Sequence, residues 1–426
     1  MANRFLTYLS VLPKPHLNVA RLEFLQPDGS VAFALDGIEK RGYSTRYDTR
    51  AFLQGGSVSV SLNNGIRRRA NITLANLDGA FDFSFNKLWF GSRVRLSMGV
   101  SLPGGTPFYL PQGVFYLDSP AKEFKPGERS VSYSLVDKWG YLDGSLFGKL
   151  EGAYSIPKTS GGQNVNVFNA MRSLLRLSKI DFKATEDISL MIDPEEPLFT
   201  NYYNGKTYAL SGGGYADMTD LPFDITSSPS NGTIAGMLLE LNTVIAGIIG
   251  YDAAGRLRVL PSQDDISDAD KPVLYAFTPE NSFLSGLSES AKIADVYNDV
   301  LIVGTGLSGY DVYGRASIYN PASDTNIYRI GKRTYREEKA TYWNEQQCRA
   351  LALYTLKKKV ALKKSITVTC PPVYHLAEDS LITVKRTDKP GAPVERHLIE
   401  SFTLPISQTG TMSINAVSVN DLRIAN

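Results

Sequence analysis

The sequence predicts a mainly β protein with an α+β insert: two antiparallel β-barrel or sandwich domains flanking a mixed α/β middle region. Three observations predict it. Apolar residues alternate with polar ones at period two from Arg21 to about Asp143, and strand-like alternation returns after Ala291. Helical spacing is confined to three short stretches between those blocks and inside the second one. The composition, with 36 Gly, 22 Pro, 23 Tyr and 19 Phe, favours short strands joined by turns over a helical bundle. A chain of 426 residues exceeds one ordinary core, and a prior of roughly 100–200 residues per domain divides it into about three. The boundaries expected are 1–145 for the first β domain, 146–290 for the middle and 291–426 for the second β domain.

Each element follows from local pattern. Val58, Val60 and Leu62 alternate with Ser57, Ser59 and Ser61; Val94, Leu96, Met98 and Val100 alternate with Arg95, Ser97 and Gly99; Val131, Tyr133 and Leu135 alternate with serines. Strands with one wet face and short Gly/Pro turns build antiparallel sheets. Phe168, Met171 and Leu175 share a helical face, predicting a helix from about Val165 to Leu177. Thr200 to Ser230, rich in Gly, Tyr, Ser and Pro, predicts a long loop region. Leu238, Leu241, Ile245 and Ile248 recur at helical spacing on a segment apolar on most sides, so a buried helix is expected, ended by Gly250. The turn Tyr251-Asp252-Ala253-Ala254-Gly255 and the Leu257, Val259 alternation then predict a strand folding back. Strand is expected again at Asp299 to Val303. Asn344 is a good N-cap with Gln347 three residues on, and Ala352, Leu353, Leu356 and Val360 form the stripe of a helix over about 344–362. Strands follow at Ile366 to Cys370, Leu381 to Val384, Leu398 to Leu404 and Met412 to Val419. No repeat of ~20–50 residues is visible.

Charge and composition exclude several classes. Lys plus Arg number 45 against 43 Asp plus Glu, a net charge of +2, so nothing global argues for nucleic acid or an acidic membrane. Cys348 and Cys370 are too few for a disulfide scaffold or a four-cysteine zinc site and are expected as reduced, buried thiols. Met1 to Leu9 lacks the pattern of a signal peptide, and Ile234 to Ile249 falls short of the ~20 residues that span a bilayer. A soluble protein made in a cytoplasm is expected.

The motifs that carry chemistry elsewhere fail here on context. Gly304-Thr305-Gly306-Leu307-Ser308-Gly309 is a literal GxGxxG, but Tyr310-Asp311-Val312-Tyr313-Gly314-Arg315 follows where a dinucleotide site needs a helix, so a glycine-rich hairpin is expected. Asp264 to Asp270 lacks the Gly and Glu of an EF-hand and reads as a solvated acidic turn, with a looser calcium site as the other reading. Asp193-Pro194-Glu195-Glu196-Pro197 reads as a polar loop. His16, His375 and His397 have no zinc-ligand spacing, and no Gly-x-Ser-x-Gly occurs. No catalytic, cofactor-binding or metal-binding residue is therefore assigned, and no cofactor is expected. Lys357, Lys358, Lys359, Lys363 and Lys364 complement a helix C-terminus, the alternative being phosphate contact in a lumen. Arg67-Arg68-Arg69 is read in the same way, as a solvated turn after Asn63-Asn64-Gly65. Tyr202, Tyr203, Tyr208 and Tyr215 either pack a loop or subunit interface, or form a glycan-binding surface.

Three blocks carry a family resemblance. The first is the order helix, Tyr251-to-Gly255 turn and Asp295-Val296-Tyr297-Asn298-Asp299-Val300 strand start. The second is Gly56-Ser57-Val58-Ser59-Val60-Ser61-Leu62, Arg69 to Asn76, Trp89-Phe90-Gly91 and Pro111-Gln112-Gly113-Val114-Phe115. The third is the last helix with the strands at Ile366 and Leu381. Together they resemble the hub proteins at the tail tip, or baseplate, of tailed phages and related contractile particles. The resemblance implies a virion structural protein: a homotrimer whose chains each contribute two tube-like β domains to a pseudo-sixfold ring. That ring would adapt a sixfold tail tube to a threefold spike or fibre and form part of the channel. Implied partners are copies of itself, a distal tail or tail tube protein, a tape measure protein, and a separate spike, fibre or receptor-binding protein. DNA would cross the lumen transiently, with no stable membrane insertion. Synthesis in the host bacterial cytoplasm and residence in the virion follow. Many such proteins carry an added hydrolase or fibre-binding domain, and this chain stops at Asn426, so lytic activity is expected on another polypeptide. The competing expectation is a cell-wall or glycan hydrolase using Glu195, Glu196 or Asp264, or a carbohydrate-binding tail-tip protein using the four tyrosines.

Overall fold

The computed structural model describes residues 2–26, 29–37, 52–62, 64–76, 79–84, 88, 92–125, 128–180, 196–210, 213–228, 232–261, 272–278, 286–290, 296–360, 365–378, 380–385, 391 and 394–418. The sequence motifs at Asn63, Trp89 to Gly91, Asp193 to Glu195, Asp264 to Asp270, and Ala294 and Asp295 lie outside them. So do Lys363 and Lys364 and the side chains of Lys357 to Lys359.

The first β block contains helix α1 (Ala2–Val11) and strands β1 (Asn18–Leu25), β2 (Val31–Asp36), β3 (Phe52–Ser61), β4 (Arg68–Ala75), β5 (Arg93–Ser101), β6 (Pro107–Lys125) and β7 (Glu128–Asp137). The strands pair antiparallel in the order β3-β4-β7-β6-β5-β1-β2. Alternation does the folding: Val58 and Val60, Val94 to Val100 at every second position, and Val131, Tyr133 and Leu135 are all buried. Each such side chain contributes about 1.5–3 kcal/mol on leaving water.

The middle begins with a 3-10 turn (Lys138–Tyr141), followed by β8 (Ser155–Ile156), β9 (Thr159–Ser160), β10 (Gln163–Asn164), α2 (Val167–Ile180) and β11 (Leu198–Phe199). It continues with β12 (Thr207–Ala209), β13 (Tyr215–Asp217), β14 (Ile225–Thr226), α3 (Ile234–Val244), β15 (Gly247–Tyr251) and β16 (Leu257–Pro261). Asn166 caps α2, its side chain accepting from Phe168 N–H at 2.9 Å. Thr233 caps α3 through Gly236 N–H at 2.9 Å.

Two expectations are corrected here. The buried helix stops at Val244, not near Gly250, because Ala246 turns to φ +50 and Ile248 and Ile249 enter β15, which pairs with β16. The expected long loop at 200–230 is held by the β12–β13 hairpin and by β14, which pairs with β8. Tyr203 and Tyr208 belong to the same apolar core as Leu238 and Leu241.

The remainder contains β17 (Val273–Phe277), β18 (Gly286–Ser290), β19 (Asp299–Thr305), β20 (Asp311–Ser317), α4 (Ile327–Ile330), β21 (Thr334–Glu338) and α5 (Glu345–Val360). Last come β22 (Ser365–Cys370), β23 (Leu381–Val384), β24 (Glu395–Ile406) and β25 (Met412–Ser418). Strands β20-β19-β21 form a separate sheet packed against α5 through Val300, Ile302, Cys348, Ala352 and Leu356.

The two β-rich ends of the chain meet edge to edge. One edge of β24 pairs with β23 over Glu395 to Leu398 and with β3 over Ser401 to Ile406, while the other edge carries β25. Among the described residues this joins 13 strands into one sheet over one core, which includes Leu22, Ile72 and Leu135 as well as Val368, Phe402 and Ile414.

Candidate functional site

Some of the residues singled out in the sequence, Arg67, Arg68, Gln112 and the Tyr251 to Gly255 turn, meet at the junction of the first β block with the middle and the last strands. Arg67 and Arg68 are 2% and 1% exposed, so the solvated-turn reading is wrong for both; only Arg69 faces outward. Parity explains it. Position 68 shares the inward face of β4 with Ala70, Ile72 and Leu74. Arg68 donates through Nη2 to Glu378 Oε2 at 2.6 Å and through Nη1 to Gln112 O at 2.9 Å, and Arg67 Nη1 lies 3.6 Å from Glu378 Oε1. Gln112 donates onward to Tyr374 O at 2.9 Å. Asp137 accepts from the backbone N–H groups of Arg67 (2.8 Å), Arg68 (3.0 Å) and Trp139 (3.1 Å). Burial pushes its carboxyl up to about 6 against the lowering effect of those donors and of Arg68. Burial likewise lowers Arg67, against the raising effect of Glu378.

The middle docks on this junction through the turn after β15. Gly65 N–H donates to Ile249 O (3.1 Å) and Ile249 N–H to Asn64 Oδ1 (3.0 Å). Gly250 lies so close to Arg67 that a Cβ there would sit 2.3 Å from its Nε. Gly255 adopts φ +79, and its own Cβ position is 2.7 Å from Val114 of β6. Lys138 Nζ lies 5.8 Å from the ring centre of Tyr251. Asp252 holds the turn, accepting from Ala254 N–H and Arg256 N–H, both at 2.9 Å. The Tyr-Asp-x-x-Gly pattern is thus a docking turn: aromatic under a lysine, carboxylate closing the loop, glycine against β6.

The second patterned run organises the β19 sheet. Asn298 and Asp299 are fully buried. Asn298 Nδ2 donates to Thr325 O (3.0 Å) and Gly331 O (2.8 Å), and its Oδ1 accepts from Arg333 N–H at 2.8 Å. Asp299 takes Arg315 in a bidentate pair, Nε and Nη2 each at 2.8 Å, and the hydroxyls of Ser317 and Thr334. Burial alone would raise its carboxyl; the hydrogen bonds from Arg315, Ser317 and Thr334 outweigh that and hold it well below the usual carboxylate range.

The glycine-rich run is a hairpin: Gly306 to Tyr310 form the turn between β19 and β20, and no helix follows. Together with the β12–β13 turn and the start of α5 it borders a groove of about 740 Å³, lined by Leu210, Leu307, Tyr310, Trp343, Glu345 and Arg349 among others. Asn344 caps α5 through Gln346 N–H (2.7 Å) and also donates to Ala209 O at 3.0 Å. Gln347 does not close the expected capping box onto residue 344; it accepts from Trp343 N–H and donates to the last carbonyls of α3, Thr243 O (3.0 Å) and Val244 O (2.8 Å).

The other candidates are scattered. His16, His375 and His397 lie in a loop, beside α1 and within β24, and no His/Cys/Asp/Glu group suited to a metal occurs among the described residues. Cys348 and Cys370 are free and buried, and burial pushes their thiols up to about 11 and about 12. Glu196 is exposed in a loop. Of the four tyrosines, Tyr203 and Tyr208 are buried, Tyr202 is covered by Lys206 at 3.1 Å from its ring centre, and only Tyr215 is open to solvent. No helix among the described residues is long and apolar enough to cross a membrane.

No protein-family model and no curated protein matches the sequence. The fold does match solved structures. A tail protein of Neisseria meningitidis MC58 superposes with TM-score 0.57 at 10% identity, over 95% of this chain and 97% of that one. The 43 kDa tail protein of prophage MuSo2 from Shewanella oneidensis gives 0.53 at 11% identity, over 94% and 98%. The prophage tail protein gp18 of Listeria monocytogenes gives 0.50 at 9% identity, over 95% and 96%. Over about 95% of its length the chain has the fold of phage tail proteins.

Proposed function

We infer that this protein is a structural component of a phage tail or phage-derived particle, and specifically the hub at the distal end of the tail. The observation that carries the reading is coverage: two tail proteins are matched over at least 94% of this chain and 97% of theirs. In this reading three copies close into a pseudo-sixfold ring, adapt the sixfold tube to a threefold spike or fibre, and line part of the channel. Its neighbours are a distal tail or tube protein, a tape measure protein and a separate spike, fibre or receptor-binding protein. It is made in the bacterial cytoplasm and does no chemistry. Ring closure suits a chain built from long antiparallel sheets, because pairing edges between copies removes the open edges that otherwise aggregate.

End-on electron microscopy of the purified protein tests this. A threefold particle with a central pore is expected. Compact monomers that persist when candidate tail partners are added would overturn it. The glycan-binding alternative is disfavoured by the burial of Tyr203 and Tyr208, which removes half of its aromatic platform.

A further inference from the structure

Helix α1 is fastened to the rest of the molecule by the Arg4 bond to Pro107 O and by a polar contact of Tyr8 set in aromatic rings. Tyr8, fully buried, accepts from Tyr374 N–H at 2.9 Å, which directs its own proton to His375 Nδ1 at 3.1 Å. The other ring nitrogen, Nε2, faces Leu274 O at 3.1 Å and must donate there. The two contacts fix the tautomer: Nε2 carries the proton and Nδ1 is bare. Phe5, Tyr8 and Tyr275 pack edgewise around the imidazole at ring-centre distances of 5.7, 5.6 and 5.9 Å, and Phe108 of β6 lies under Tyr8 at 5.2 Å.

We propose that α1 is a releasable strap, closed by the Tyr8–His375 hydrogen bond while the imidazole is neutral and opened when Nδ1 takes a proton. A protonated Nδ1 can only donate. It would meet the Tyr8 oxygen as a further donor beside the backbone N–H groups of Tyr374 and His375, and the Tyr8 proton would lose its acceptor where water cannot replace it. Among the described residues, the groups that face the ring offer no compensating anion. From α1 there is the Tyr8 hydroxyl, from β17 Tyr275, from the segment of His375 itself Tyr374, and from β6 only the hydrocarbon of Phe108; Arg4 on α1 is spent on Pro107 O at 2.8 Å. None of the described carboxylates pairs with His375. Burial lowers its pKa, against a raising contribution from Leu274 O. A base held below its ordinary value in the folded state withdraws stability as pH falls through and beneath the ordinary histidine range near 6.5. Release would uncover Tyr8 and Val11 on α1, Leu12 just after it, and the face of Phe108.

The strap is tested by hydrogen exchange of the α1 amides, corrected for the intrinsic pH dependence, from about pH 7.5 to about pH 5, across the ordinary histidine range. The opening constant of α1 should rise at least threefold, with a slope of no more than about tenfold per pH unit, one proton's worth, while β24 and β25 stay protected. His375→Gln, which can still accept and donate, should abolish the acid response. Tyr8→Phe should loosen α1 already at neutral pH and shrink its acid response. Flat wild-type behaviour would overturn the proposal, as would an undiminished response in either variant, which would assign the proton to another group. A failure of ring formation in microscopy leaves this result untouched, because the strap lies within one chain.

Discussion

Two buried carboxylates, Asp137 and Asp299, are shifted in opposite directions from the ordinary carboxylate pKa although both are hidden from solvent. Asp299 takes a bidentate guanidinium and two hydroxyls, and those bonds outweigh the cost of burial. Asp137 takes three backbone N–H groups at the junction, where burial prevails and raises it to about 6. The donors of Asp299 come from within one small sheet, at most 35 residues away. The Arg67, Arg68 and Glu378 cluster beside Asp137 instead links positions 310 residues apart in the chain. Local folding can assemble the first node; only the completed fold can assemble the second.

Breaking the long-range node should therefore cost most. Arg68→Met leaves the Glu378 carboxylate, 6% exposed, with Arg67 at 3.6 Å as its remaining ion-pair partner. Loss of about 3–5 kcal/mol in denaturant unfolding is expected, as for other broken buried pairs. Adding Glu378→Leu to the same chain should restore much of it, because the desolvated charge disappears with its partner. A double variant no more stable than Arg68→Met would show that Arg68 acts through packing and not through charge.

Asp299→Asn should cost less, about 1.5–3 kcal/mol for hydrogen bonds to a charged group, because Arg315 and Lys332 remain 45% and 47% exposed and can return to water. The pH dependence sharpens the comparison. Asp299, depressed in the folded state, adds stability above the ordinary carboxylate pKa and loses it as pH falls through and below that value. Asp137, raised, holds its proton more tightly folded than unfolded, so its contribution grows as pH falls from about 6 towards the ordinary value near 4. Stability measured against pH should thus lose part of its acid decline in Asp299→Asn. An unchanged decline would mean that Asp299 is not ionised in the folded protein.

The sequence made the local part of this architecture legible. Alternation in β3, β5 and β7, the N-cap at Asn344 and the glycine hairpin after β19 are all short-range patterns, and each is found where the pattern puts it. The pairing of β3 with β24 is not a local pattern. Its partners Val60 and Phe402 are simply two apolar residues until the chain between them is folded. The arginines at 67 and 68 were obscured for a different reason. Charge type argued for solvent; at 68 the inward parity with Ala70 and Ile72 argued for the core and won because Glu378, from a distant segment, supplied the counter-charge, while Arg67, of the opposite parity, is covered where Gly250 packs on it. The end of α3 was misplaced because Ile248 fits a helical stripe and a strand face equally well, and only the β16 partner decides.

The smallest expected effect belongs to a residue whose role is half legible. Asn344 caps α5, and removal of such a cap by Asn344→Ala costs typically about 1 kcal/mol. Its Nδ2 also reaches Ala209 O, a bond to the middle region that no capping pattern announces. Asn344→Ser separates the two roles, since a serine hydroxyl can still accept from Gln346 N–H but is too short to keep the contact with residue 209. If capping is the main role, the serine variant should stay within a few tenths of a kcal/mol of wild type, as good N-caps do among themselves. If the bridge matters as much, both variants should fall together, and exchange protection should drop in the β12–β13 hairpin as well as in the first turn of α5. The bridge has a competitor for importance in Gln347, which ties the same helix start to Thr243 and Val244. With that second tie intact, the serine variant is expected to loosen the hairpin locally and to leave the global unfolding midpoint where it was.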